Sequence, residues 1–288
     1  VLFPFRVGAT AVLLEKATPE ALLPAIAHHR ATVCFTAPTA WRAMAAQALA
    51  HDLSSLRKCV SAGEALPKPT FEAWRAATGL TLMDGIGATE MLHIFIGAPE
   101  EAVRPGSTGL PVPGYEARVI DDGGNEVPRG TIGRLAVRGP TGCRYVADPR
   151  QANYVCGSWN ITGDTYVQDE DGYFWYQARS DDMIVSAGYN IAGPEVEAAL
   201  LSLPAVRECG VVGVPDAERG QVVKAYVVLK DGVAPDAATA KALQEHVKAV
   251  IAPYKYPRAV AFLDALPRTE TGKLKRFALR ALAGQPGA

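Results

Sequence analysis

The chain has 288 residues, 49% hydrophobic and 20% charged, with a formal net charge of −1. A length beyond one small core predicts two or three domains, and the composition excludes a disordered chain. Near-zero charge argues against a general nucleic-acid or anionic-membrane binder, and no apolar run is long enough to span a bilayer.

Five cysteines (Cys34, Cys59, Cys143, Cys156 and Cys209) are scattered singly. None forms a C-x-x-C pair, so reduced thiols in a cytoplasmic protein are expected. The histidines show no metal-ligand spacing, and adjacent His28 and His29 point to different sides of a helix. The N-terminus contains Arg6, lacks a small-residue cleavage site and starts in an apolar run, which reads as part of a longer protein rather than a signal peptide.

In chain order, Ala9–Leu14 reads as a buried strand. Thr18-Pro19 opens a helix to about Arg30, with Thr as N-cap and Pro in the first turn. Strands follow at Thr32–Thr36, Lys58–Ser61 and Thr81–Asp84, and helices at Pro38 to about Ala50 and Pro67–Gly79. The rhythm is βαβαβαβ, with strands lacking polar alternation, which predicts a parallel sheet covered on both faces. In such sheets ligands bind beyond the carboxyl ends of the strands. Ser61-Ala62-Gly63-Glu64 and Gly85-Ile86-Gly87-Ala88-Thr89-Glu90 fall there.

From about Val103, Pro and Gly become frequent and helices give way to short β runs at Tyr115–Ile120, Gly133–Arg138, Thr165–Gln168 and Tyr173–Tyr176, a small antiparallel subdomain. Beyond Asp181 a compact α+β unit is expected. Its strands are Met183–Ser186, Cys209–Val214, Val222–Leu229 and Ala259–Phe262, and its helices Pro194 to about Ser202, Pro235 to about Ile251 and Leu274–Leu282. The expected organisation is 1–103 as an α/β sheet layer, 104–180 as a β subdomain and 181–288 as a small mobile domain.

Taken singly, the chemistry-bearing segments are ambiguous. Two glycines at 85 and 87 admit a ligand close to the backbone, and Thr89 with Glu90 offers an oxygen donor and a carboxylate for a nucleotide or its Mg²⁺. The same residues serve equally well as a capped turn, and they lack the third glycine of a dinucleotide fingerprint. Thr162-Gly163-Asp164 reads first as a turn, and Arg179 with Asp181 and Asp182 as a surface ion-pair cluster. Gly272-Lys273 places one ammonium on a loop that opens a helix, suited to a phosphate or carboxylate oxygen.

Their order and spacing say more. The segments DGIGATE (84–90), ITGD (161–164), ARSDDMIVSAGYNIAGPEVE (178–197), GVPDAERGQ (213–221) and YKYPRAVAFLDALPRTETGKLKR (254–276) resemble the motifs of the adenylate-forming acyl-CoA synthetase superfamily over nearly the whole chain. Within it, SAGEALP (61–67), Ile86 and His93-Ile94 look most similar to benzoate- and 2-aminobenzoate-CoA ligases.

The resemblance implies a two-step reaction: ATP and a small aromatic acid give an acyl-adenylate, and coenzyme A then displaces AMP. It implies Lys273 as the catalytic lysine, Thr89 at the α-phosphate, and Glu90 beside Mg²⁺. It places Gly63, Glu64, Asp84, Gly85, Ile86 and Gly87 around the adenine, and Asp164 and Arg179 at the ribose and phosphate. Ala62, Gly87, His93 and Ile94 would line the aryl pocket. Asp181 would be the pivot of a domain swing that brings Ser186, Gly188 and Tyr189 to the pantetheine of coenzyme A. Ala178 departs mildly from the family's usual Gly before the hinge Arg.

The family's Ser/Thr/Gly-rich phosphate loop is not found in these 288 residues, so the chain alone is expected to have little ligase activity. A separate N-terminal half or a homodimer is the implied partner. A non-catalytic relative that binds adenylate or coenzyme A is the competing expectation.

Overall fold

The computed structural model describes residues 2–149, 151–180, 182–269 and 272–283. The first body begins with α1 (Leu2–Arg6) and α2 (Pro19–His29), followed by β1 (Val33–Thr36), α3 (Pro38–Ala45), β2 (Lys58–Ala62), α4 (Lys68–Thr78), β3 (Leu82–Gly87), β4 (Ile94–Gly97) and β5 (Leu110–Pro111). The five strands form one sheet in chain order, with β1, β2 and β3 parallel and β4 and β5 antiparallel.

Proline and glycine punctuate this body as the sequence predicts. Pro19 and Pro38 sit in the first turns of their helices. Gly79 ends α4 in the left-handed region at φ 74°, where its N–H reaches the Arg75 carbonyl.

The helices cover one face of the sheet. Leu23, Trp41, Met44, Cys59, Trp74 and Leu82 are buried there, with the indoles of Trp41 and Trp74 edge-to-face at 4.6 Å. On β1 the side chains alternate: Cys34 is buried, whereas Val33 and Phe35 are 45% and 58% exposed. The sheet is covered on both faces away from this edge, since adjacent Phe95 and Ile96 on β4 are both fully buried, and among the described residues its second face is open at β1.

Ala9–Leu14 is likewise no strand. It has no ladder partner among the described residues, and Leu13 is 77% exposed. Its apolar composition is real, but a strand needs a neighbour to satisfy its backbone groups.

The second sheet contains β6 (Glu116–Ile120), β7 (Gly133–Arg138), β9 (Trp159–Gln168) and β10 (Phe174–Arg179) in the order β10-β9-β7-β6. Between β7 and β9 lie the short α5 (Gln151–Tyr154) and β8 (Val155–Cys156), the latter paired with β9. All pairings are antiparallel, as expected from the turn-rich composition. Its core of Val119, Leu135, Val137, Tyr166 and Phe174 is continuous with Met91, Phe95 and Ile96 of the first body.

The third sheet is built from β11 (Ile184–Ser186), β12 (Tyr189–Ile191), β13 (Val206–Asp216), β14 (Gly220–Leu229) and β15 (Ala259–Phe262). β13 and β14 form a long hairpin, and β15 joins β14 in parallel. The hairpin turn is set by Asp216, whose Oδ1 accepts the N–H groups of Glu218 and Arg219. α6 (Gly193–Leu201), α7 (Ala237–Val250) and α8 (Arg276–Ala283) pack around this sheet. Asp236 caps α7 by accepting the Thr239 N–H at 2.8 Å. Pro235 therefore lies outside the helix, and so does Leu274, which pairs with Arg268 in a narrow hairpin.

Candidate functional site

The site starts from the parallel register of the first sheet. Ser61 stands opposite Asp84 and Ala62 opposite Gly85. Beyond these pairs β3 bulges between Ile86 and Gly87 and turns back through Thr89–Met91 into β4, with Gly87 opposite Ile94. The return is antiparallel, so Gly85–Glu90 is a strand-to-strand rather than a strand-to-helix turn.

The glycines are required by contact. A Cβ on Gly87 would stand 2.7 Å from the His93 carbonyl oxygen, and one on Gly85 2.8 Å from the Ile94 side chain. Ala62, Gly85, Gly87, His93 and Ile94 are thereby gathered at one end of the sheet. Phe35 and Phe3 meet the His93 ring edge-on at 6.1 and 4.8 Å. Neither phenylalanine is among the residues singled out from the sequence, because each is remote in the chain and carries no local motif.

Two buried polar atoms lie at the β2–β3 step without partners: Ser61 Oγ and Asp84 Oδ1. Burial pushes the Asp84 carboxyl up to about 8, against the downward pull of the Gly85 and Leu66 main chain. A polar ligand edge would satisfy such orphaned groups.

Lys273 comes to this place from the far end of the chain. Its Cε lies 3.3 Å from where a Cβ on Gly63 would stand, and Gly63 has φ 96°. Glu64 Oε1 accepts the Leu274 N–H at 2.9 Å. The lysine backbone is held in its hairpin, where its N–H donates to Thr269 Oγ1 and its carbonyl accepts the Thr269 N–H.

A second group forms around the β subdomain. Arg179 and Asp164 are opposite residues of the β9–β10 ladder, with Nη1 and Oδ1 3.7 Å apart. Glu90 Oε1 accepts the Tyr145 hydroxyl at 2.6 Å. The Tyr145 ring meets Tyr154 at 5.8 Å, and burial raises the Tyr154 phenol, with Glu90 and Asp164 adding to the effect. Glu90 and Asp164, 74 positions apart in the sequence numbering, thus both act electrostatically on one phenol. Tyr145 is a further residue that no sequence pattern marked.

Three expected participants stand elsewhere. Ser186 is buried on β11, Ala187 and Gly188 have positive φ, and Tyr189 stacks on Tyr254 at 4.6 Å. No hydrogen bond among the described residues joins this hairpin to the Lys273 site. Asp181 lies outside the described residues. Asp182 pairs with Arg280 of α8 rather than with Arg179.

Among the described residues no group of three or more His, Cys, Asp or Glu side chains is arranged to hold a metal ion. Mg²⁺ commonly binds through one or two carboxylates and the phosphates of its nucleotide, and Glu90 fits that role as a single carboxylate. Among the described residues no helix is long and apolar enough to cross a membrane. All five cysteines are free thiols.

Residues 1–145 match the AMP-binding enzyme family, and residues 195–273 match the AMP-binding enzyme C-terminal domain. The chain is 42% identical over 286 residues to a benzoate–CoA ligase of Thauera aromatica, covering 97% of this chain and 54% of that protein. It is 41% identical over 296 residues to a mitochondrial acyl-coenzyme A synthetase of Mus musculus, covering 97% and 50%.

Among solved structures, an anthranilate CoA ligase in complex with anthranoyl-AMP superposes with a TM-score of 0.93 at 42% identity, covering 98% of this chain and 56% of that one. A benzoate CoA ligase from Burkholderia xenovorans LB400 gives 0.87 at 40%, covering 96% and 57%. The chain spans about half the length of the curated relatives it matches. With its α/β sheet, antiparallel β sheet and α+β C-terminal unit, it belongs to the AMP-binding enzyme family.

Proposed function

We propose that the chain is the C-terminal part of an aryl-acid CoA ligase of the benzoate or 2-aminobenzoate class. The observation that carries this reading is Lys273 lying against Gly63, beside the end of the sheet that gathers Ala62, Gly85, Gly87, His93 and Ile94. Residues 1–180 would belong to the large domain, with 1–103 as sheet layer and 104–180 as β subdomain. Residues 181–288 would be the small domain, pivoting at Asp181. The free cysteines suit the cytoplasm we propose for it.

In the first step Lys273 would place its ammonium between the carboxylate of the acid and the α-phosphate of ATP. The charge that develops in the transition state is stabilised there at little reorganisation cost. Thr89 would hold an α-phosphate oxygen. Glu90, oriented by Tyr145, would hold Mg²⁺, whose chemistry is to neutralise phosphate charge. Asp164 would accept from the ribose hydroxyls with Arg179 beside it. Ser61 and Asp84 would meet the polar edge of the adenine, with Gly63, Glu64, Gly85 and Ile86 around it. His93 and Ile94, with Ala62 and Gly87, would bound a flat aryl ring. In the second step the small domain would swing and bring Ser186, Gly188 and Tyr189 to coenzyme A.

The test is acid-dependent pyrophosphate release in an enzyme reconstituted with a phosphate-loop half, supplied with benzoate or 2-aminobenzoate. Lys273→Ala is expected to abolish release while adenylate binding, measured by calorimetry, persists. Equal release by the variant and the parent refutes the assignment. Adenylate binding without turnover in the parent supports a binding module instead.

A further inference from the structure

Two charged side chains of the first body reach the C-terminal body and end on its main chain. Glu64 Oε1 accepts the N–H of Leu274, the residue after Lys273, at 2.9 Å. Arg42, on α3, donates through Nε to the Arg207 carbonyl at 3.1 Å and through Nη2 to the Val206 carbonyl at 3.2 Å. Both contacts use backbone groups, so the geometry of the chain rather than a partner side chain decides whether they form.

The two contacts are mechanically joined. The hairpin carrying Lys273 is closed by Thr269 N–H to Lys273 O at 2.8 Å and by Lys275 N–H to Pro267 O at 2.9 Å. Arg268 braces it from within, donating to the Gly272 carbonyl at 2.7 Å and to Glu208 Oε2 at 2.6 Å. Glu208 directly follows Arg207 on β13. The strand held by Arg42 and the hairpin held by Glu64 are thus connected directly, through the Arg268–Glu208 ion pair.

We propose that Arg42 and Glu64 are positioning residues that form a two-point clasp, holding Lys273 at Gly63 for adenylation. The proposal rests on the reading of Lys273 given above. Hydrogen bonds to a charged partner are stronger than neutral ones, yet both side chains regain water when the bodies part, which keeps the clasp reversible. A swing of the C-terminal body breaks both contacts together. The clasp therefore favours the first half-reaction and must open for the second.

The test is residue-resolved amide hydrogen exchange on the 288-residue chain, combined with acylation of Lys273 by an N-hydroxysuccinimide ester. Glu64→Ala is expected to speed Leu274 exchange on the order of tenfold and to raise Lys273 labelling. Glu64→Gln, which keeps an acceptor, has a smaller effect. Arg42→Ala acts in the same direction although it touches neither residue, which a local role for Glu64 would not produce.

The Thr269 and Lys275 amides, bonded inside the hairpin, keep their protection. Leu274 exchange and Lys273 labelling unchanged by either alanine variant overturn the clasp. So does equal acceleration of all three amides, which is unfolding of the hairpin. In the reconstituted enzyme Arg42→Ala, which lies outside the proposed nucleotide site, slows adenylation and spares thioester formation from supplied acyl-adenylate. Absence of both half-reactions in the parent refutes the ligase reading and leaves the exchange result to judge the clasp.

Discussion

Substituting Gly87 by alanine tests the tightest turn of the candidate pocket. Gly87 adopts an ordinary φ, so the added methyl group meets no backbone strain and the whole effect is steric. The new Cβ would stand 2.7 Å from the His93 carbonyl oxygen, 2.8 Å from its carbonyl carbon and 3.0 Å from the Ile94 nitrogen. Ordinary van der Waals contact begins near 3.4 Å, so the turn must open by about 0.7 Å. All three neighbours are main-chain atoms, and no side chain can rotate away. β3 and β4 must part at the Gly87–Ile94 pair, next to the existing bulge. Overpacking of this kind costs about 1–3 kcal/mol.

Gly142 supplies the control. It also has an ordinary φ, but a Cβ there would meet only the Asn160 side chain, at 3.5 Å. Gly142→Ala is expected to be neutral or stabilising by up to about 1 kcal/mol, through the lower entropy of the unfolded chain. Urea unfolding followed by tryptophan fluorescence and far-UV circular dichroism measures both variants. An unfolding midpoint for Gly87→Ala equal to that of the parent would refute the steric argument. A drop as large for Gly142→Ala would show that glycine removal as such, not contact at Gly87, is responsible.

Glu197→Ala should lower stability by about 3–5 kcal/mol, because it strands Arg276, a half-buried partner bonded to it at 2.7 and 2.8 Å, and orphans the Val211 N–H. A urea midpoint within error of the parent contradicts this. Asp84, raised to about 8 in the folded state from 3.8, binds a proton more tightly folded than unfolded. Its contribution to stability is fully present below the unfolded value and is lost as pH rises through about 8. The melting temperature of the parent should therefore fall between pH 5 and 8 relative to Asp84→Asn, and parallel pH profiles would exclude the effect. Tyr145→Phe removes the hydroxyl bonded to Glu90. In the reconstituted enzyme the Mg²⁺ concentration for half-maximal adenylation should rise several-fold, whereas an unaltered Mg²⁺ dependence would separate Tyr145 from the metal role.

Local chemistry made much of the fold legible. Pro19, Pro38 and Gly79 mark helix ends because ring closure and the missing Cβ act within one or two residues. The Gly133–Arg138 and Ala259–Phe262 strands are found at their expected limits. Ala9–Leu14 shows where this reasoning stops: an apolar run states a preference for burial, and only a neighbouring strand converts it into a ladder. The short β12 is the converse case, since Tyr189–Ile191 carries little strand signal of its own and is fixed by pairing with β11.

The sequence by itself determined the family, because the order and spacing of its motifs are covalent facts that survive without coordinates. It also named Lys273, Glu90, Asp164 and the glycine pair as chemistry-bearing residues. What only the tertiary structure decided is which of them meet. Lys273 reaches Gly63 and Leu274 reaches Glu64 across 210 residues. Glu90 finds Tyr145, while Tyr189 of the β11–β12 hairpin stacks on Tyr254. Such pairings are long-range: each depends on the packing of whole elements, and no pattern within a window of neighbours encodes it.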